Sequence, residues 1–165
     1  MRNNKQKGFS LIELLIVVAI ILIIAAIAIP NLLRSKMAAN EASAVASLRT
    51  YNTSIVAYQT TYGTDPTTDF SQLGPTAGGA LPTAAAADLV DNLLGVKAPT
   101  KSGYAFTYVP GAADANGIVS TYTINADPTV ANSTGQRTFF TDQSGVIRQR
   151  TDGKPAAVTD TPIGG

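Results

Sequence analysis

The residue whose chemistry stands out in this chain is Glu13, the one charged residue in a long apolar run. Residues 9–29 read FSLIELLIVVAIILIIAAIAI and are apolar except for Ser10 and Glu13. A carboxylate well inside a bilayer costs about 2.5–3.5 kcal/mol on insertion scales, so such a group usually has a partner. Glu13 therefore either reaches the lipid headgroups from near the end of the run, or requires a positively charged partner.

A cut just before Phe9 would create that positive charge. Hydrolysis of the peptide bond between Gly8 and Phe9 frees an α-amino group four residues before Glu13. Removal of residues 1–8 would lower the formal net charge of the chain from +1 to −2. The basic residues lost with this leader are Arg2, Lys5 and Lys7.

The run 9–29 is predicted to be a helix that crosses a membrane once. At about 1.5 Å per residue its length matches the roughly 30 Å hydrocarbon core of a bilayer. The remainder of the chain is too small and polar to enclose a helix that is apolar all round. Basic residues before the run, with few soon after it, orient the amino terminus to the cytoplasm. A plain signal-anchor is the alternative.

The sequence Lys7-Gly8-Phe9-Ser10-Leu11-Ile12-Glu13, followed by the apolar run and Pro30, resembles the class III signal of type IV pilins and pseudopilins. The resemblance implies that a prepilin peptidase cuts between Gly8 and Phe9 and N-methylates Phe9. It also implies that Glu13 of one subunit neutralises the amino group of Phe9 on a neighbour during assembly. The implied fold class is α+β, with a long kinked helix packed against a small antiparallel sheet.

Residues 30–62 are predicted to continue the helix as an amphipathic segment, so that one helix covers about residues 9–62. Pro30 removes a helical hydrogen bond and is expected to kink the helix. Gly63 is expected to end it. Side chains at steps of three and four form a single stripe that suits packing under a sheet. The stripe consists of Met37, Glu41, Ala44, Leu48, Tyr51, Ile55, Tyr58 and Tyr62.

The rest of the chain is predicted to hold loops and an antiparallel sheet. Residues 63–100 are rich in Gly, Pro and Thr and form a loop region, with a short helix over 84–94. Residues 101–150 alternate as strands, each with one polar face. In residues 118–126, Ile118, Tyr122 and Ile124 are placed on one face and Val119 on the other. Residues 151–165 are predicted to be a flexible tail.

Composition argues against catalysis. The chain has no cysteine and no histidine, so the usual nucleophile–base pairs and zinc ligand sets cannot be built. We expect no enzyme activity and no cofactor. Calcium stays open, since some pseudopilins bind it through carboxy-terminal acids, but Asp127 and Asp142 form no dense oxygen cluster. There is no basic patch, so we expect no nucleic acid partner.

The resemblance implies a structural subunit that is held in the inner membrane and polymerises into a type IV pilus filament on the cell surface. Its expected partners are copies of itself, membrane lipid before assembly, a prepilin peptidase, and an assembly platform protein with its ATPase. A major pseudopilin of a type II secretion system is the alternative, although the Asp-Pro-Trp-Gly-like loop usual there is missing. A minor pilin and a signal-anchored periplasmic binding domain or enzyme also remain.

Overall fold

The computed structural model describes residues 9–164. The predictions made for the leader 1–8, including Gly8 and the basic residues Arg2, Lys5 and Lys7, lie outside the described residues. The chain divides into two compact units, Met1–Ser35 and Lys36–Gly165.

One helix, α1, runs over Leu11–Tyr62 and is 52 residues long. Pro30 lies inside α1 and does not end it, while a kink at that position stays a prediction. Gly63 ends the helix as expected. It has a φ of 76° and donates its N–H to the Gln59 carbonyl at 2.8 Å, which is the left-handed geometry that favours glycine at a helix end.

Within the second unit, the predicted stripe of α1 is the face that is buried. Its central members are almost completely buried, while Met37 and Tyr62 at its two ends are half-buried. Tyr51 stacks on Phe70 with ring centroids 3.9 Å apart and meets Phe106 of the sheet edge-on at 5.7 Å. The completely or almost completely buried members are Glu41, Ala44, Leu48, Tyr51, Ile55 and Tyr58.

The sheet has six antiparallel strands whose spatial order follows their order in the chain. Its register pairs Phe106 with Ala126, Asn125 with Phe140, and Phe139 with Gln149. This sheet and the long helix confirm the α+β fold. The strands are β1 Thr100–Lys101, β2 Tyr104–Pro110, β3 Tyr122–Pro128, β4 Thr138–Asp142, β5 Arg148–Arg150 and β6 Thr161–Pro162.

The strands β2 and β3 alternate as expected, with their buried side chains turned toward α1. Strand β4 differs, because all five of its residues are buried. Its outer face is covered by the carboxy-terminal segment, where the Thr138 hydroxyl donates to the Lys154 carbonyl at 2.7 Å. The prediction of one polar face per strand is therefore wrong for β4.

No helix forms over residues 84–94. The segment runs as turns, and short 3₁₀-helices lie earlier, at Phe70–Leu73 and Ala77–Gly79. The backbone N–H groups of Ala87 and Leu89 donate to the carbonyls of Gln72 and Leu73, both at 2.9 Å, instead of closing helical turns. Asp88 has a φ of 54°, which a right-handed helix does not allow.

Two further predictions near the sheet are wrong. Ile118 is exposed and Val119 is buried. The alternation of β3 does not apply to these two residues, because β3 begins only at Tyr122. The backbone N–H of Val119 instead donates a 2.9 Å hydrogen bond to the Thr64 hydroxyl. Residues 151–164 are not a loose tail. They include β6 and the buried Ala156, whose carbonyl accepts a 2.9 Å hydrogen bond from the Asn125 side chain.

Candidate functional site

The first unit exposes an apolar helix surface that is not covered by any of residues 9–164. Phe9 is 91% exposed, and the large aliphatic side chains that follow it as far as Leu33 are exposed as well. By length and composition, α1 is apolar enough to cross a membrane. A continuous apolar surface of this size marks a contact with lipid or with another protein. We treat this surface, with Glu13 at its start, as the functional site.

Glu13 has a hydrogen-bond partner at the start of the helix. The backbone N–H of Ser10 donates to its Oε2 atom at 2.9 Å. Ser10 immediately precedes the first helical residue, so this bond is half of a capping box, in which the acid at the third helical position reaches back to the cap residue. The carboxylate also lies at the end of α1 where the helix dipole favours negative charge.

The sequence analysis predicted a positively charged partner for Glu13 and did not predict the hydrogen bond from the Ser10 backbone. The signal was present in the spacing Ser10-Leu11-Ile12-Glu13, which matches the capping-box pattern. The bond uses one lone pair of one carboxylate oxygen, and an ionised carboxylate can accept several hydrogen bonds. Glu13 therefore keeps the capacity to accept a cation while it caps its own helix.

The structure brings Phe9 and Glu13 to the same end of α1. Phe9 precedes the first helical turn and Glu13 lies within it. Both belong to the first unit. The chemistry available there is charge pairing in apolar surroundings, since the side chains that follow along the helix carry no other charge before Arg34.

Within the second unit, a buried carboxylate on α1 holds the residues that lead into β4. Glu41 accepts the backbone N–H of Gln136 at 2.8 Å and that of Arg137 at 3.1 Å, and the Arg137 Nε at 2.7 Å. Burial raises the pKa of Glu41, but these hydrogen bonds and the Arg137 charge outweigh it and hold the pKa below its usual value. Sequence analysis gave Glu41 no role beyond its place in the stripe.

The two loop carboxylates considered for calcium are in different surroundings. Asp142 accepts the backbone N–H of Ser144 at 2.9 Å. The Oδ1 atom of Asp127 is buried with no hydrogen-bond partner among residues 9–164, and burial raises the pKa of Asp127. Within those described residues no group of three or more His, Cys, Asp or Glu side chains could hold a metal ion. The expectation that the chain needs no cofactor stays a prediction.

A family model matches the same end of the chain. The family described as "Prokaryotic N-terminal methylation motif" matches residues 3–29. The "Type IV wide pilus major component PilA4" of Thermus thermophilus is 58% identical over 48 residues. That match spans 29% of this chain and 35% of the relative, about a third of its length. No solved structure matches the chain.

Proposed function

We propose that this chain, a member of the type IV pilin and pseudopilin family, is a pilin that polymerises into a surface filament. The observation that carries the proposal is the exposed apolar helix of the first unit, which begins with a capped acid next to Phe9. Such a surface is buried either in lipid or against copies of itself. A pilin uses both environments in turn, first as a membrane-anchored precursor and then as a filament subunit.

The proposed mechanism begins with cleavage between Gly8 and Phe9 by a prepilin peptidase, which frees and N-methylates the amino group of Phe9. The amino group is then a cation at the edge of an apolar helix. In the filament it pairs with Glu13 of a neighbouring subunit. Removing one partner of a buried ion pair typically costs about 3–5 kcal/mol, so the pair would select the register in which every subunit is neutralised.

Transfer from lipid to filament core gives little hydrophobic gain, because the lipid has already removed the helix from water. Packing between helices and the pairing of Glu13 with Phe9 must therefore favour assembly. The chain would also engage an assembly platform protein and its ATPase, and its amino terminus would face the cytoplasm in the precursor. These partners follow from the family and from the basic residues of the leader.

Amino-terminal mass spectrometry on sheared surface material and on washed membranes tests the proposal. We expect a peptide that begins with N-methyl-Phe9 in the sheared fraction. The same peptide confined to membranes would indicate a pseudopilin of a type II secretion system instead. An intact leader, Met1 to Gly8, in both fractions would exclude a processed filament subunit and leave a signal-anchored domain.

Substitution of Glu13 separates charge pairing from helix capping. Glu13→Val removes both functions, whereas Glu13→Gln keeps an acceptor for the Ser10 N–H but carries no charge. We expect both variants to be inserted and cleaved normally and to give at least tenfold less sheared filament. Asp88→Asn is the matched control, because it removes one exposed carboxylate charge outside the apolar surface, and it should assemble normally. Normal filament from Glu13→Gln would show that the cap, not the charge, is what assembly requires.

A further inference from the structure

Two segments of this chain have the sequence Asn-x-Ser/Thr, which is the acceptor pattern for N-linked sugars. They are residues 52–54, which read NTS, and residues 132–134, which read NST. A pattern this short also arises by chance. The surroundings of each side-chain nitrogen therefore decide whether the folded chain can carry a sugar there.

The fold excludes a sugar on Asn52. This residue lies inside α1, and its side-chain nitrogen donates to the Thr141 hydroxyl at 3.0 Å and to the Gly145 carbonyl at 3.3 Å. Its side-chain oxygen accepts the Tyr122 hydroxyl at 3.3 Å. A sugar on that nitrogen would replace one of its two hydrogens and stand between α1 and the sheet. A chain with this modification could not form the contact of α1 with β4.

Asn132 has different surroundings. It is exposed and has a φ of 60°, in a turn over residues 130–135. Backbone hydrogen bonds close this turn, because the Asn132 N–H donates to the Gly135 carbonyl at 2.9 Å and the Thr134 N–H to the Val130 carbonyl at 3.0 Å. None of these bonds uses the side-chain nitrogen of Asn132. A sugar on that nitrogen therefore leaves the backbone of the turn intact.

The third residue of the pattern, Thr134, lies in the same turn. Its hydroxyl oxygen accepts the Val130 N–H at 3.2 Å and donates to the Val130 carbonyl at 3.1 Å. Both bonds are local to the turn, so the hydroxyl is available to a transferring enzyme before the turn closes. Transfer then precedes the closure of the turn, and the structure determines that only a chain modified at Asn132 can complete its fold.

Asn132 also forms part of the wall of a polar pocket of about 440 Å³, which we call the Asn132 pocket. The pocket lies between the turn 130–135 and the segment 151–155 that follows β5. Its lining includes the carboxylates Asp127 and Asp152 and the exposed amide of Gln136, and none of the described residues that line it is a lysine or an arginine. Ionised carboxylates only accept hydrogen bonds, and sugar hydroxyls donate them. The volume of the pocket also falls within the range of small-ligand sites.

We propose that Asn132 is the acceptor of an N-linked glycan whose first sugar lies in the Asn132 pocket. The occupant follows from position, because a sugar bonded to Asn132 begins at the wall of the pocket and is held there covalently. In the transfer, the side-chain nitrogen of Asn132 forms a bond to the anomeric carbon of a glycosyl diphosphate. The bond from that carbon to the diphosphate oxygen breaks, the diphosphate leaves, and the amide proton passes to a base of the transferring enzyme.

Mass spectrometry of the chain from the cells that naturally make it tests the modification. We expect a glycan on Asn132 and none on Asn52. Asn132→Asp removes the acceptor and suits the turn, since Asp also tolerates a positive φ. Asn92→Asp is the matched control, because Asn92 is exposed, lies outside the acceptor pattern and gains the same charge. Asn132→Asp should lose the whole glycan mass, and Asn92→Asp should keep it.

Hydrogen exchange tests the place of the sugar. Backbone N–H groups of residues 151–155 should exchange about threefold more slowly in Asn92→Asp, which carries the glycan, than in Asn132→Asp. Equal exchange in the two variants would overturn the place of the sugar in the pocket. An unmodified Asn132 in the unaltered chain, or a glycan on Asn52, would overturn the modification, whether or not Asn132→Asp folds. These outcomes are independent of filament assembly, which the Glu13 variants test.

Discussion

Replacement of Glu41 by Gln should weaken the attachment of the sheet to α1. The Glu41 side chain is only 9% exposed and accepts three hydrogen bonds, two from the backbone of residues 136–137 and one from the Arg137 guanidinium. The partner Arg137 side chain is 39% exposed and also donates to Gln149 at 2.7 Å. The substitution keeps the size of the side chain and removes its charge.

The expected loss follows from the kinds of hydrogen bond involved. Hydrogen bonds to a charged group contribute about 1.5–3 kcal/mol each, and neutral ones about 0.5–1.5 kcal/mol. The amide oxygen of Gln can still accept the backbone N–H groups, but its NH₂ group faces another donor, the guanidinium. We expect the free energy of unfolding to fall by about 2–3 kcal/mol. The loss stays below that of a fully buried pair because Arg137 can regain water.

The measurement is denaturant unfolding of the full chain in detergent, followed by near-ultraviolet circular dichroism. The chain has six tyrosines and no tryptophan, so this signal reports the packing of the tyrosine-rich core. Lys101→Gln is the control, because it removes only the exposed ion pair with Asp91, whose carboxylate lies 3.8 Å away at the surface. Exposed pairs of that kind contribute less than about 1 kcal/mol. A loss for Glu41→Gln no larger than for Lys101→Gln would refute the reasoning.

The effect of Glu41→Gln on the free energy of unfolding should depend on pH. Folding lowers the pKa of Glu41 from its usual 4.5. The contribution of ionised Glu41 to the free energy of unfolding is therefore fully present above pH 4.5. The contribution is lost as the pH falls through the lower pKa of the folded state. The difference between the unaltered chain and Glu41→Gln should be constant from pH 7 to about 5.5 and shrink below pH 4.5. An equal difference at pH 7 and pH 3 would mean that the charge of Glu41 does not matter.

Two further variants test the sheet. Asp127→Asn should raise the free energy of unfolding at pH 7 by about 1 kcal/mol, because burial raises the pKa of Asp127 above its usual 3.8. The cost of ionising buried Asp127 is present at neutral pH and disappears below the pKa of Asp127 in the unfolded chain. A gain in the free energy of unfolding that persists at pH 3 would therefore contradict this prediction. Gly135→Ala should lower the free energy of unfolding by about 2–3 kcal/mol, since the added Cβ would collide with the hydroxyl group of Tyr104. An unchanged tyrosine circular dichroism spectrum and an unchanged unfolding midpoint would contradict this second prediction.

The helix and the central strands could be predicted because their signals are local and periodic. Steps of three and four residues predicted the buried face of α1 from Ala44 to Tyr58, and alternation predicted the buried side chains of β2. The same approach gave a wrong prediction for the alanine-rich segment 84–94. Alanine favours helix on its own, but here tertiary hydrogen bonds to the carbonyls of residues 72–74 take the N–H groups that a helix would need.

The contacts that fasten distant segments could not be predicted from the sequence. Glu41 and Arg137 are 96 residues apart, and their meeting depends on the register of β4 with its neighbours. The composition of residues 151–164 indicated a loose tail, yet Arg150 pairs with Asp152 at 3.5 Å and with Asp160 at 3.3 Å. These pairs and the buried Ala156 hold the segment across the outer face of the sheet.

The hydrogen bond at the start of α1 bears on how one carboxylate can serve both states of the proposed cycle. In the precursor, the N–H of Ser10 and the helix dipole satisfy part of the charge on Glu13, which lowers the cost of carrying that charge near the bilayer. The proposed cleavage would add a cation at Phe9 without disturbing the cap, because the donor belongs to the backbone of Ser10 itself. Glu13 therefore need not break its existing bond to pair with a neighbour. In the proposed filament, assembly would gain the ion pair without first losing the hydrogen bond, so capping and pairing would act together at the one residue.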